Sequence, residues 1–301
     1  MLPNMCLLML LFLSGVLLVQ GAQDLSYFDD GLDWGGTCVT SMQQSPINLV
    51  STQYTPANSS SPSAFTFGTG TNVTVNNLGN QIKVLWTQAT PSTASMTLGS
   101  FYAQPNATGV INVTGTNKTA GLANTTLSIV PLQFHFHTPS EHTLNGRFSA
   151  LEAHLVANVT AANTSCASNC TAVFAVLYDF SPDGVEGSTF LAPFLDSIPA
   201  NATSDTSDQL GSNYTLNLTN FFPQDTTQYI QYAGSLTTPP CTEGVSWTVF
   251  TNTQLISFSQ VQTLQIALAE AVMQGFIPER TDDRLPQLLN NRPVWSFGST
   301  S

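Results

Sequence analysis

The 301-residue chain predicts a mainly β fold. Three observations carry that expectation. Short runs rich in β-branched and aromatic residues recur along the chain, broken by Gly, Asn and Pro. Only one stretch has a convincing helical period. No linker is long enough to divide the chain.

The strand-like runs are "FTFGTGTNVTVNN" (65–77), "QIKVLW" (81–86), "LQFHFH" (132–137), "LEAHLV" (151–156) and "AVFAVLY" (172–178). Residues 103–128 are rich in Asn, Thr and Gly and read as exposed loops or edge strands. The helical stretch is "SQVQTLQIALAEAVM". Ser259 and Gln262 are spaced as a capping box, and Val261, Leu264, Leu268 and Val272 share one face.

Composition narrows the function. Hydrophobic residues make up 42% of the chain, enough for a sizeable core. Only 8% are charged, with 6 basic residues against 18 acidic and a net charge of −12. That balance excludes nucleic acid, whose affinity comes from Lys and Arg displacing phosphate counterions. It also excludes electrostatic docking on anionic membranes.

The N-terminal run "MCLLMLLFLSGVLLV" precedes the small residues Gly21 and Ala22. It predicts a secretory signal over 1–21, leaving 22–301 as a single domain in an extracellular protein. No second apolar run follows, so no membrane span is expected after signal removal. Asn-x-Ser/Thr recurs about a dozen times, at Asn58, Asn72, Asn106, Asn112, Asn117, Asn124, Asn158, Asn163, Asn169, Asn201, Asn213 and Asn217. Glycans there would supply the hydration that charges do not. Cys38, Cys166, Cys170 and Cys241 remain after the signal, and spacing alone leaves all three pairings open.

All four histidines, His135, His137, His142 and His154, fall between residues 133 and 156. Side chains alternate along a strand, so Gln133, His135 and His137 face one way and Phe134 and Phe136 the other. Glu152, His154 and Val156 share a face in the next run. If the two runs pair, three imidazoles converge. Three nitrogens around Zn²⁺ leave a fourth position open, as in catalytic zinc sites. Gln133 and Glu152 sit two residues from a ligand, on the same faces, and suit the orienting partners such histidines need. His135-x-His137-x3-Glu141 also fits the metal motif of cupin oxidoreductases, but the framing glycines and proline are missing.

Further blocks carry a resemblance. "QSPINL" (44–49), "QFHFHTPSEHTLNG" (133–146), "ALEAHLV" (150–156), "GSLTTPPCTEGVSW" (234–247) and "RLPQLLNNR" (284–292) stand in the order of the α-class carbonic anhydrases, which the chain resembles. The resemblance implies one domain around a large twisted, mostly antiparallel sheet with short peripheral helices. It implies zinc on His135, His137 and His154, and reversible hydration of CO2 to bicarbonate and a proton by a zinc-bound hydroxide. In carbonic anhydrase the metal is known to lower its water's pKa from 15.7 to about 7.

The same resemblance assigns roles. Thr237 would accept from the hydroxide and donate to Glu141, with Thr238 behind it. Val156, Val173, Leu236 and Trp247 would form the apolar wall for CO2. His142 would be a buried structural histidine near the site. Cys38 and Cys241 would form the disulfide common in extracellular members, leaving Cys166 with Cys170. Asn80 stands where many fast members carry a proton-shuttling histidine, and Tyr27 matches a cavity tyrosine. A non-catalytic binding or storage glycoprotein on this fold is the alternative; such relatives usually lose a zinc histidine, and this chain keeps all three. Oligomeric state has no signature in the sequence.

Overall fold

The computed structural model describes residues 27, 29–56, 64–90, 92–97, 124–160, 170–199, 207–272 and 281–298. Its centre is one large sheet of thirteen strands among the described residues. Seven of them place the site: β1 (Thr69–Asn77), β2 (Ile82–Gln88), β3 (Asn124–His137), β4 (Leu151–Thr160), β5 (Cys170–Phe180), β6 (Tyr229–Ser235) and β7 (Glu243–Ile256). In space they run β1-β2-β3-β4-β5-β7-β6. All neighbours in this row are antiparallel except β5 and β7, which are parallel. Ser207–Gln209 adds an edge strand beyond β1, and Trp295–Phe297 with Thr55–Pro56 extends the sheet beyond β6.

Alternation divides the sheet into two faces. Phe134 and Phe136 of β3, Leu155 of β4 and Phe174 of β5 are fully buried in one apolar cluster. Burying each such side chain is worth roughly 1.5–3 kcal/mol. The opposite face carries the histidines and a second cluster built on Val173, Trp247, Val249 and Ile230.

The run 65–77 divides into Ala64–Thr66 and β1, separated at Phe67 and Gly68. Within 103–128, residues 124–128 are neither loop nor edge strand: they begin the long strand β3, pairing with 93–97, and Ser128 also pairs with Thr160 of β4 on its other side, because the Thr-rich run 124–128 continues straight into the apolar strand. The rest of that stretch, the proposed signal and Cys166 lie outside the described residues.

The long helix spans Phe258–Val272 and buries Val261, Leu264 and Leu268. Its cap corrects the sequence reading. The Gln260 amide N–H donates to Ser257 Oγ at 3.2 Å, and the Ser257 N–H donates to Gln260 Oε1 at 3.4 Å. The box is therefore Ser257 and Gln260, two residues before Ser259 and Gln262. Phe258 is 58% exposed and adds nothing to the apolar period, so periodicity placed the start too late. No helix among the described residues is long and apolar enough to cross a membrane.

Candidate metal centre

Register builds the site. His135 of β3 is the Cα partner of His154 of β4, and His137 is the partner of Glu152. Cross-strand partners place their side chains on the same face. One ligand nitrogen from each of His135, His137 and His154 lies within 4.8 Å of the others.

Hydrogen bonds select those nitrogens. His135 Nδ1 lies 2.9 Å from Gln133 Oε1, and His137 Nδ1 lies 2.6 Å from the backbone oxygen of Asp282. His154 Nε2 lies 2.7 Å from Glu152 Oε1. The nitrogens left for a metal are therefore Nε2 of His135 and His137 and Nδ1 of His154. His137 Nε2 and Glu141 Oε2 are buried without a hydrogen-bond partner, 3.5 Å apart. A buried polar atom in that state is costly unless something binds it, and a cation at the three imidazoles is what this donor set suits.

Electrostatics agree. Burial first, then the neighbouring histidines, holds His135 well below its ordinary pKa, and burial pushes His137 down to about 3. Burial also lowers His154. Neutral imidazole is the form that binds a metal. Burial would raise Glu152, but His142 and His154 hold it well below the usual carboxylate range. Glu141 is pushed upward by burial and then by Glu152, while Thr237 and the Arg284 N–H oppose the shift. A divalent cation beside Glu141 would act in the same direction as those donors.

Glu141 is fully buried, Thr237 is close enough to hold its pKa down, and its Oε1 accepts from the Arg284 backbone N–H at 3.1 Å. Thr238 sits in the following turn, where its carbonyl accepts from the Cys241 N–H at 2.8 Å. Val156, Val173 and Trp247 form one cross-strand row beside the row His135, His154, Ala175. Leu236 packs partly buried against the same cluster. The apolar wall therefore stands next to the imidazoles.

His142 lies behind the ligands. Its Nδ1 is 2.6 Å from Glu152 Oε1 and its Nε2 is 2.7 Å from the Tyr232 hydroxyl. His142, Glu152 and His154 are also close enough to hold an ion. Their facing atoms are already hydrogen-bonded to one another, so this group supports the first. Asn80 is half-buried in the bend between β1 and β2, and Tyr27 is buried edge-on against Trp34.

Cys38 and Cys241 form a disulfide, with their Cα atoms 5.0 Å apart. Cys170 is disulfide-bonded as well. Of the sequons, Asn72, Asn213 and Asn217 are exposed, whereas Asn158 is half-buried within β4. The Asn124 side chain and Asn58, Asn106, Asn112, Asn117, Asn163, Asn169 and Asn201 lie outside the described residues. A cleft of about 690 Å³ opens elsewhere, among Phe65, Phe190 and Tyr214, and contains none of the site residues.

Four contributors escaped the sequence reading. The Asp282 carbonyl orients His137, Arg284 holds Glu141, and Tyr232 with Ser45 supports His142. Arg284 stands in the recognised block "RLPQLLNNR", but a backbone donor has no residue-type signature.

The fold and site define a protein with a buried three-histidine cluster, suited to a metal ion, on a twisted sheet. The chain belongs to the eukaryotic-type carbonic anhydrase family, whose pattern matches residues 30–298. It is 38% identical over 170 residues to alpha carbonic anhydrase 4 of Arabidopsis thaliana, covering 55% of this chain and 53% of that protein. Among solved structures, the α-carbonic anhydrase of Photobacterium profundum is similar, with a TM-score of 0.60 and 28% identity, covering 86% of this chain and 91% of that one. Dioscorin DB3S of Dioscorea polystachya is 33% identical over 146 residues, covering 48% of this chain and 49% of that protein. The chain spans about half the length of the curated relatives it matches, 53%, 45% and 54% for the first three. Membership sets aside the cupin reading.

Proposed function

We propose that the protein catalyses the reversible hydration of CO2 to bicarbonate and a proton, using a zinc ion held by His135, His137 and His154. The observation that carries this reading is the convergence of three neutral imidazoles beside a buried Glu141, whose Oε2 lies 3.5 Å from His137 Nε2 and 3.7 Å from His154 Nδ1. Zinc, when bound, supplies a Lewis acid that makes hydroxide available near neutral pH, as is established for carbonic anhydrase.

The chain's own residues do the rest. Gln133, the Asp282 carbonyl and Glu152 fix ring orientation and tautomer, so binding costs little rearrangement. Thr237 lies beside Glu141 and holds its pKa down; a hydroxyl that donates to that carboxylate has its oxygen left to accept from the attacking water, which fixes that water's lone pair toward CO2. Val156, Val173, Leu236 and Trp247 offer apolar surface that suits a molecule without charge or dipole. The proton must then leave. Asn80 cannot relay it by titrating near neutrality.

A second reading, a non-catalytic binding or storage protein, is favoured only by the likeness to dioscorin DB3S. Metal analysis and CO2 hydration on one purified sample separate the two. Zinc with hydration supports the first. A metal-free, inactive protein supports the second.

The protein is also proposed to be a secreted glycoprotein. Support comes from the apolar N-terminal run, the Cys38–Cys241 disulfide and the exposed sequons at Asn72, Asn213 and Asn217. Enzymatic deglycosylation of protein from the culture medium should lower its apparent mass; an unchanged mass would count against this reading.

A further inference from the structure

We infer that Lys83 is an anion-recognition residue, whose ammonium group draws bicarbonate and competing monovalent anions toward the three-histidine site. The inference rests on the zinc reading above.

Lys83 lies in β2 as the Cα partner of His135 on β3. Its neighbours Ile82 and Val84 are fully buried in the phenylalanine cluster. Alternation therefore turns Lys83 to the opposite, histidine-bearing face. The cross-strand row on that face reads Lys83, His135, His154.

The other described cations are committed. Arg147 pairs with Asp179 at 2.8 Å. Arg284 donates to Gln44 Oε1 and to the Ser45 and Cys38 carbonyls, and Arg292 donates to the Ala233, Gln44, Leu288 and Leu289 carbonyls. Lys83 forms no ion pair among the described residues. A chain with 6 basic residues thus places one beside its histidine cluster with no carboxylate paired to it among the described residues.

Burial lowers the Lys83 pKa from its ordinary value, as expected of an ammonium short of solvent. Its charge is felt at the site: after burial, His137 and His154, it is the next influence lowering His135. The two sides of the reaction respond differently to such a charge. CO2 is neutral and is nearly indifferent to it. Bicarbonate is an anion approaching a protein of net charge −12, which repels it. A local, partly desolvated cation beside the histidines reverses that repulsion where it matters.

The test titrates thiocyanate, a monovalent anion, into zinc-loaded wild type, Lys83→Gln and Lys83→Arg by calorimetry at constant ionic strength. Lys83→Gln should weaken thiocyanate binding about five- to tenfold, the scale of one partly screened charge pair, and Lys83→Arg should stay within about twofold of wild type. In bicarbonate dehydration Lys83→Gln should raise the KM for bicarbonate, and Lys83→Arg should stay close to wild type. Unchanged thiocyanate affinity in a zinc-replete Lys83→Gln overturns the inference and leaves the hydration reading standing. An equal loss of anion binding in Lys83→Arg also overturns it, because the charge is then not the cause. Wild-type protein that takes up no zinc overturns both.

Discussion

His154 Nε2 lies 2.7 Å from Glu152 Oε1, and that contact leaves Nδ1 of His154 as the nitrogen facing His135 and His137. The same carboxylate oxygen lies 2.6 Å from His142 Nδ1, and Glu152 Oε2 accepts from the His142 N–H at 2.7 Å. The Tyr232 hydroxyl continues the chain, 2.7 Å from His142 Nε2 and 2.8 Å from Ser45 Oγ. The aim of one ligand is therefore set by a buried relay reaching back to the N-terminal segment.

Glu152→Ala should weaken zinc binding about 10- to 100-fold, the usual result of losing an orienting partner. His135→Ala and His154→Ala should each lose most of the metal. Competition with a chromophoric chelator measures all three. Wild-type zinc affinity in Glu152→Ala would show that packing against Trp247, whose ring centroid is 4.9 Å from that of His154, suffices to hold the ligand.

Thr237→Ala should keep stoichiometric zinc and lower kcat/KM for CO2 roughly 10²-fold, the scale of losing one preorganised group at the reacting centre. Metal analysis beside stopped-flow hydration reads both quantities. Unchanged kinetics would place Thr237 away from the chemistry.

Stability should depend on Asp283. Burial, and then Asp30, pushes its carboxyl up to about 7 in the folded protein, against an ordinary value of 3.8. Between those values the folded state holds a proton that the unfolded state has released. Stability therefore falls as pH rises from about 4 to about 7, by a few kcal/mol at most, and levels off above. Asp283→Asn should flatten that slope in urea unfolding at constant ionic strength. Identical slopes in both proteins would show that Asp283 titrates normally.

Proton release should limit turnover. A group of pKa about 7 losing protons to water unaided releases them at on the order of 10³ s⁻¹. With Asn80 at the bend between β1 and β2, kcat should rise with the concentration of imidazole-type buffers while kcat/KM barely moves. Asn80→His should raise kcat at low buffer and flatten the response. High turnover that ignores added imidazole would mean another residue carries the proton.

Much of this was legible in the sequence, and the reason is alternation. A period of two put Phe134 and Phe136 on one face and His135 and His137 on the other, so a ligand pair followed from spacing alone. The pairing of His135 with His154 did not, because register is a long-range property. The family blocks implied the three ligands, and the structure supplied the register that joins them. What stayed hidden was backbone chemistry: the Asp282 carbonyl and the Arg284 N–H act without regard to side chain. Lys83 was hidden differently. It read as one polar residue of a strand until the register set it opposite a ligand.

CO2 hydration by one sample, followed through chelator stripping and stepwise return of zinc, tests the three-histidine centre most directly. Activity should vanish with the metal and return in proportion to zinc up to one equivalent in the wild type, but not in His135→Ala. Hydration that survives complete stripping, or a wild type fully loaded with zinc that hydrates no CO2, would contradict the proposed function.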